Sequence, residues 1–262
     1  MTQAVLPITE LHDETENQEL KAMTLIVSMQ YEGKIVMAAD GMVYTQGSSN
    51  ANIPYPAEKL YPVKGTNWMF AFSGWGGVES LQKTIEAEVG LGHSPPFDLH
   101  LPIGGPLYLD ALRVKAREGG VAFEANVALA GFDLEGEPYI LSTALPRGAT
   151  YNLGKVAALG VQDSTAMWLM GTLYDCCTCL EDVKKMAYFV ITQVAKQELK
   201  VGHPEHYAIS LAVLENGKQS QREHKKYHDL QGWIGDWESG LQRCFMRIIR
   251  EQGNSQITSV NR

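Results

Sequence analysis

The sequence is short of several things, and each shortage narrows what the chain can do. No apolar run approaches the roughly 20 residues that cross a bilayer. The N-terminus has neither the basic start nor the apolar core of a signal peptide, and it is too acidic for a transit peptide. A cytoplasmic protein without a membrane partner is therefore expected. Cysteine is scarce, with four among 262 residues, and in that compartment these are expected to be reduced thiols. Three lie together at Cys176, Cys177 and Cys179. Only Cys176 and Cys179 have metal-ligand spacing, and no second pair or nearby histidine completes a site. Basic residues are outnumbered too: 22 Lys and Arg against 30 Asp and Glu leave a net charge of -8, which argues against nucleic acid as a partner.

What is present is the composition of a soluble globular protein, 45% apolar and 20% charged, long enough to bury a core without staples. Residues 1–23 stand apart. Glu10, Asp13, Glu14, Glu16 and Glu19 face one base, Lys21, so this stretch reads as a propeptide-like or disordered extension. After Met23 the character changes. Thr24 to Gln30 and Ile35 to Ala39 are β-rich runs flanking Tyr31-Glu32-Gly33, the pattern of a hairpin. A three-residue loop would place Gly33 at positive φ and set Thr24 directly opposite Asp40. A slip of one residue would put them on opposite faces.

Residues 41–57 read as loop, with Gly47, Ser48, Ser49, Asn50, Asn52, Pro54 and Pro56. Lys59 to Val63 and Trp68 to Ser73 read as a second hairpin around Gly65, and 78–89 and 107–117 as helices. Strands are expected near 124–132, 138–144 and 149–158. Helices are expected from Asp163 and from a capping box at Thr178-Cys179-Leu180-Glu181. The second should run to about Leu199, with apolar residues at 183, 187, 190, 191 and 194. A strand over Tyr207 to Leu214 ends the core at Glu215-Asn216-Gly217, and 218–262 read as a polar extension carrying a helix. Strands, two helices, strands, two helices and a strand pack most economically as an α+β, four-layer αββα sandwich of two antiparallel sheets over 24–217.

The opening of that core resembles the proteasome β-type subunit family of N-terminal-nucleophile hydrolases, including its bacterial members. The residues that carry the resemblance are Thr24-Leu-Ile-Val-Ser, Gly33-Lys-Ile-Val-Met-Ala-Ala-Asp40-Gly, Lys59-Leu60-Tyr61 and Ala71-Phe72-Ser73-Gly74. The interval of sixteen residues from Thr24 to Asp40 is the family's. It differs where the family has a Ser-Gly pair before the third helix, here Gly160-Val161-Gln162. Glu198 and Val201 stand for a family Asp and Ser, and Met42 for a commonly basic residue. The resemblance implies a threonine-type peptidase with Thr24, Asp40 and Lys59 as catalytic residues and no metal or organic cofactor. It also implies peptide or unfolded-protein substrates and a homo-oligomeric ring, and leaves room for an ATPase partner. Gly74 and Ser73 fall at the oxyanion step, and Val43 and Phe72 at the substrate pocket. A non-catalytic ring-forming scaffold and an amidase for small amides are the alternatives.

The chemistry can be argued from the residues themselves. A threonine hydroxyl is a poor nucleophile until a base takes its proton, and a free α-amine on the same residue can do so. The amine's ordinary pKa, about 7.7–8.0, suits a general base, and a neighbouring ammonium such as Lys59 would lower it. Asp40 would hold Lys59. The Gly74 N–H could meet the oxyanion, where one donor is worth about 3–4 kcal/mol. All this needs Thr24 to be the first residue, either by autolytic removal of 1–23 or, the favoured expectation, by translation beginning at Met23 followed by methionine excision. Taken singly, the same residues have plainer readings. Thr24 is a strand residue, Asp40 a turn or cap, Lys59 a solvated edge with Lys64 as rival, and Phe72 sheet core. Ser28 and Ser73 are the hydroxyls left to supplement the site. His203 and His206 flank Pro204 and lack a third ligand, so they read as loop. His224-Lys225-Lys226-Tyr227-His228 reads as a solvated tail. Gly74-x-Gly76-Gly77 lacks the Lys-Ser/Thr of a phosphate loop.

Overall fold

In the computed structural model, which describes residues 24–46, 52–63, 66–75, 124–132, 135–145, 150–152, 154–218, 220–226 and 228–240, strands dominate the first half and helices the second. The chain runs through β1 (Leu25–Tyr31), β2 (Lys34–Ala39), β3 (Met42–Gln46), β4 (Asn52–Pro56), β5 (Leu60–Pro62) and β6 (Met69–Trp75). It continues through β7 (Glu124–Phe132), β8 (Pro138–Leu145), β9 (Thr150–Asn152) and β10 (Val156–Gly160). Helices α1 (Asp163–Leu173) and α2 (Leu180–Ala195) follow, then β11 (Ile209–Glu215) and β12 (Gln221–Lys225), and residues 228–240 are helical (α3).

Two antiparallel five-stranded sheets result, ordered β10-β1-β2-β11-β12 and β5-β6-β7-β8-β9, with β3 and β4 as a separate hairpin. Apart from the polar β12, the strands of the first sheet are largely apolar on both faces, and the period of two sorts their side chains. Ile26, Ile35, Met37, Ala212 and Leu214 meet Met69, Ala71, Ala128, Ala130 and Ile140 of the second sheet. Leu25, Val27, Met29, Val36 and Leu211 turn the other way, onto Ala166 and Met170 of α1, Met186, Val190 and Val194 of α2, and Leu230 and Ile234 of α3. The protein is thus a mixed α+β fold with two stacked antiparallel sheets, and the described helices pack on the first of them. The helices expected over 78–89 and 107–117 lie outside the described residues.

Several sequence expectations are corrected. The β1–β2 turn holds two residues, not three. Glu32 and Gly33 both take positive φ, 46° and 72°, as in a type I′ turn, so Tyr31 pairs with Lys34 and Ile26 with Ala39. This register matches the twist of the strands, and it moves Thr24 out of direct opposition to Asp40. Glutamate bears the left-handed strain at position 32, where asparagine is tolerated better. Glu32→Asn is therefore expected to raise stability by about 0.5–1 kcal/mol, read as an upward shift of the urea midpoint at constant slope.

Residues 41–57 are not all loop: Met42 to Gln46 pairs with Asn52 to Pro56, whose two prolines are tolerated in a two-stranded edge. The single strand expected over 149–158 is two. A break around Gly154, at φ 71°, lets β9 pair with β8 of the second sheet and β10 with β1 of the first. The turn into α2 is capped one residue later than expected. Cys179 is the N-cap, and Asp182, not Glu181, accepts from the Thr178 N–H and hydroxyl at 2.9 and 2.8 Å. α2 stops at Ala195 rather than near Leu199. The polar stretch after 217 forms β12, which pairs with β11, so its alternating charges line a sheet edge.

Candidate active site

Three separate segments among the first strands deliver the candidate catalytic residues to one buried point. Thr24 precedes β1, Asp40 follows the last residue of β2, and Lys59 precedes β5. The Ala57 N–H donates to the Gly41 carbonyl at 2.9 Å, which closes the base of the β3–β4 hairpin. That closure returns the chain beside Asp40 and presents Lys59 to it. Gly41 packs so closely that an added Cβ would lie 2.2 Å from the Ala208 carbonyl oxygen, so no side chain fits there.

The resulting contacts are short and dry. Lys59 Nζ donates to Thr24 Oγ1 at 2.7 Å and lies 3.2 and 3.1 Å from Asp40 Oδ1 and Oδ2. Thr24, Asp40 and Lys59 are 6%, 0% and 2% exposed, so water does not dilute these interactions. Asp40 is held from several sides: Leu25 N–H reaches Oδ1 at 2.8 Å, while Met42 and Gly202 N–H reach Oδ2 at 3.2 and 2.9 Å. Such a set of donors satisfies a buried carboxylate. Burial pushes the Lys59 ammonium below its ordinary pKa, and the charge and hydrogen bonds of Asp40 pull it back up. Lys59 is thus a cation held where its proton is less secure than in water, with one N–H on the threonine hydroxyl.

The register slip does not separate Thr24 from Asp40 chemically. Leu25, not Thr24, faces the carboxylate, and Lys59 bridges the two. Asp40 lies beyond the last residue of β2, so the pleat does not dictate where its side chain points.

The Thr24 carbonyl is also fixed. The Ser73 hydroxyl donates to it at 3.2 Å and the Val161 N–H at 3.0 Å. Ser73 is 1% exposed. Gly160 makes this approach possible: at φ +110°, an added Cβ would sit 1.8 Å from the Thr24 carbonyl oxygen. Val161 therefore touches Thr24 through its backbone. Gly74 follows Ser73 on β6 and pairs with Ala125, while Phe72 pairs with Val127. Val43 follows Met42 on β3 and pairs with Tyr55. These three are placed next to residues that touch Thr24 or Asp40.

Sequence reasoning missed Gly160 and Gly202. An added Cβ on Gly202 would lie 2.5 Å from Met42 Cβ and 3.1 Å from Asp40 Oδ2. Gly160 left a signal as a glycine at the end of a strand, whereas Gly202, in the segment between α2 and β11, left none. Glu198 and Val201, aligned by resemblance, serve otherwise: the Glu198 carboxylate accepts from the Lys200 N–H at 3.0 Å, and Val201 is packed in the helical core.

The cysteine cluster is remote in chemistry. Cys177 is partly buried, and burial, helped by the charge of Asp182, pushes its thiol up to about 12. Cys179 is exposed. Alkylation with iodoacetamide at pH 8 is expected to modify Cys179 at least about tenfold faster than Cys177, since the thiolate is the reactive form. Peptide mass mapping over a time course checks it.

No protein-family model and no curated protein matches the chain. Among solved structures it is similar to the Gly-1 mutant of Anbu from Hyphomicrobium sp. strain MC1. The TM-score is 0.59 at 18% identity, over 85% of this chain and 96% of that one. At that identity the likeness shows the fold alone.

Proposed function

We propose that the protein is a threonine-type peptidase in which Thr24, once it is the first residue, attacks the carbonyl carbon of a peptide bond. The contact that carries this is Lys59 Nζ on Thr24 Oγ1 at 2.7 Å, in a site with Asp40 fully buried. A hydroxyl satisfies one N–H of a buried ammonium whatever its role, and a nucleophile gains besides from a donor that stabilises its developing negative charge. The freed α-amine takes the hydroxyl proton, the Gly74 N–H receives the oxyanion, and Val43 and Phe72 contribute to the substrate pocket. The C–N bond then breaks as the α-ammonium gives its proton to the departing amine, and water, deprotonated in turn by the α-amine, hydrolyses the ester formed with Thr24, which restores the hydroxyl. The full fold in this proposal is the four-layer sandwich, with residues 1–23 as a removable extension and 218–262 as an extension of the hydrolase domain. Several copies assemble into a ring that takes peptide or unfolded-protein substrates, in the cytoplasm, with an ATPase as a further partner.

Intact-mass measurement of the native protein tests the premise. A mass that starts at Thr24 supports it, and a mass retaining residues 1–23 in every molecule defeats the hydrolase and favours a scaffold. Hydrolysis of a small amide but of no peptide would favour the amidase.

A further inference from the structure

An N-terminal residue poses a mechanical problem. Once no peptide bond precedes it, nothing on its amino side holds it, and chain ends fray unless they are tied down. Thr24 must nevertheless keep its hydroxyl and its amine in register with a substrate to within a fraction of an ångström, because small misplacements cost rate steeply. The ties on its carboxyl side therefore decide its position.

Those ties are few. Leu25 is bound to Asp40 by two hydrogen bonds, its N–H to Oδ1 at 2.8 Å and the Asp40 N–H to its carbonyl at 3.2 Å. The Thr24 carbonyl accepts from the Val161 N–H at 3.0 Å and from the Ser73 hydroxyl at 3.2 Å. An amide oxygen has two lone pairs, and these donors occupy both. The Val161 donor comes from the residue after β10, in the first sheet; the Ser73 donor comes from β6, in the second. The carbonyl is thus clamped between the two sheets.

We infer that Ser73 is a positioning residue that locks Thr24 in place after its amine is freed, acting through the Thr24 carbonyl rather than on substrate. The inference rests on the proposed role of Thr24. A serine is needed there, since alanine fills the same space on the strand but offers no donor. Its hydroxyl is committed to Thr24, so the oxyanion falls to the neighbouring backbone. The clamp matters little while residues 1–23 are attached, because the chain itself then restrains Thr24, and becomes necessary once they are gone.

The test uses Ser73→Ala in protein that begins at Thr24. The expected result is a fall in kcat of about three- to tenfold with KM unchanged, the loss that one hydrogen bond's worth of positioning produces. The Val161 amide, which shares the carbonyl, should exchange with solvent at least about threefold faster than in wild type. Wild-type kcat in Ser73→Ala, in a protein whose Thr24→Ala form is inactive, overturns the inference and leaves the proposed function standing. If Thr24→Ala is as active as wild type, the proposed function fails, and the clamp is then judged by exchange alone. Faster exchange at Val161 upholds it and unchanged exchange overturns it.

Discussion

Thr24→Ala protein that begins at residue 24 is expected to hydrolyse peptides at least on the order of 10³-fold more slowly than wild type, while folding as wild type does. Losses of that size follow when a covalent nucleophile is removed and the binding groups remain. The structure gives reason for both halves of the expectation. Oγ1 is where Lys59 delivers its N–H, at 2.7 Å, so its deletion removes the atom that the site is organised around. Lys59 keeps both oxygens of Asp40, at 3.2 and 3.1 Å, and the buried charges remain paired. A cavity the size of a hydroxyl and a methyl costs about 1 kcal/mol, too little to unfold a domain of this size. Steady-state hydrolysis of a fluorogenic peptide, alongside a urea unfolding curve, reads both. Activity comparable to wild type would sink the assignment of Thr24, whatever the state of the fold.

Gly160→Ala is expected to damage the molecule more broadly. An added Cβ lies 1.8 Å from the Thr24 carbonyl oxygen, far inside contact distance, and the residue sits at φ +110°, where alanine is strained. Backbone strain of this kind costs roughly 1–3 kcal/mol, and relief of the overlap must push β10 away from the start of β1. Leu25 and Gly160 are paired there, so the displacement reaches Thr24 directly. The expected outcome is a loss of stability on the order of 3 kcal/mol and a loss of activity greater than stability alone explains. Urea midpoints and the kcat of the fraction still folded separate the two. A Gly160→Ala protein with wild-type stability and activity would show that Thr24 is not held as described.

Against these expectations, the legible part of the site is easily stated in physical terms. Thr24, Asp40 and Lys59 were legible through the family resemblance and the chemistry each can do, and the structure brings them together. Their partners in the backbone were not legible. The N–H groups of Leu25, Met42 and Gly202 on Asp40, and of Val161 on Thr24, belong to every residue type, so no letter in the sequence marks them. Of the glycines that permit these approaches, Gly160 leaves a trace as a strand-end glycine, and Gly202, between α2 and β11, leaves none. Ser73 was legible as a hydroxyl near the site, but its direction toward the Thr24 carbonyl depends on how two sheets stack.

The sequence by itself determined the kinds of element: near-continuous β-rich apolar runs made β1 and β2, and an apolar stripe at helical spacing made α2, with Val183, Ala187, Val190, Ile191 and Val194 all buried. These are local properties, written within a few turns or pleats of chain. The tertiary structure alone decided the β1–β2 register, the division of 149–158 between two sheets, the pairing of β12, and the meeting of residues 24, 40, 59, 73, 160 and 202. Register turns on whether one glutamate accepts a left-handed conformation, a difference of about 1 kcal/mol that the rest of the packing can override. Contacts across the sandwich join segments more than a hundred residues apart, where the energy of any one pairing is set by everything packed around it.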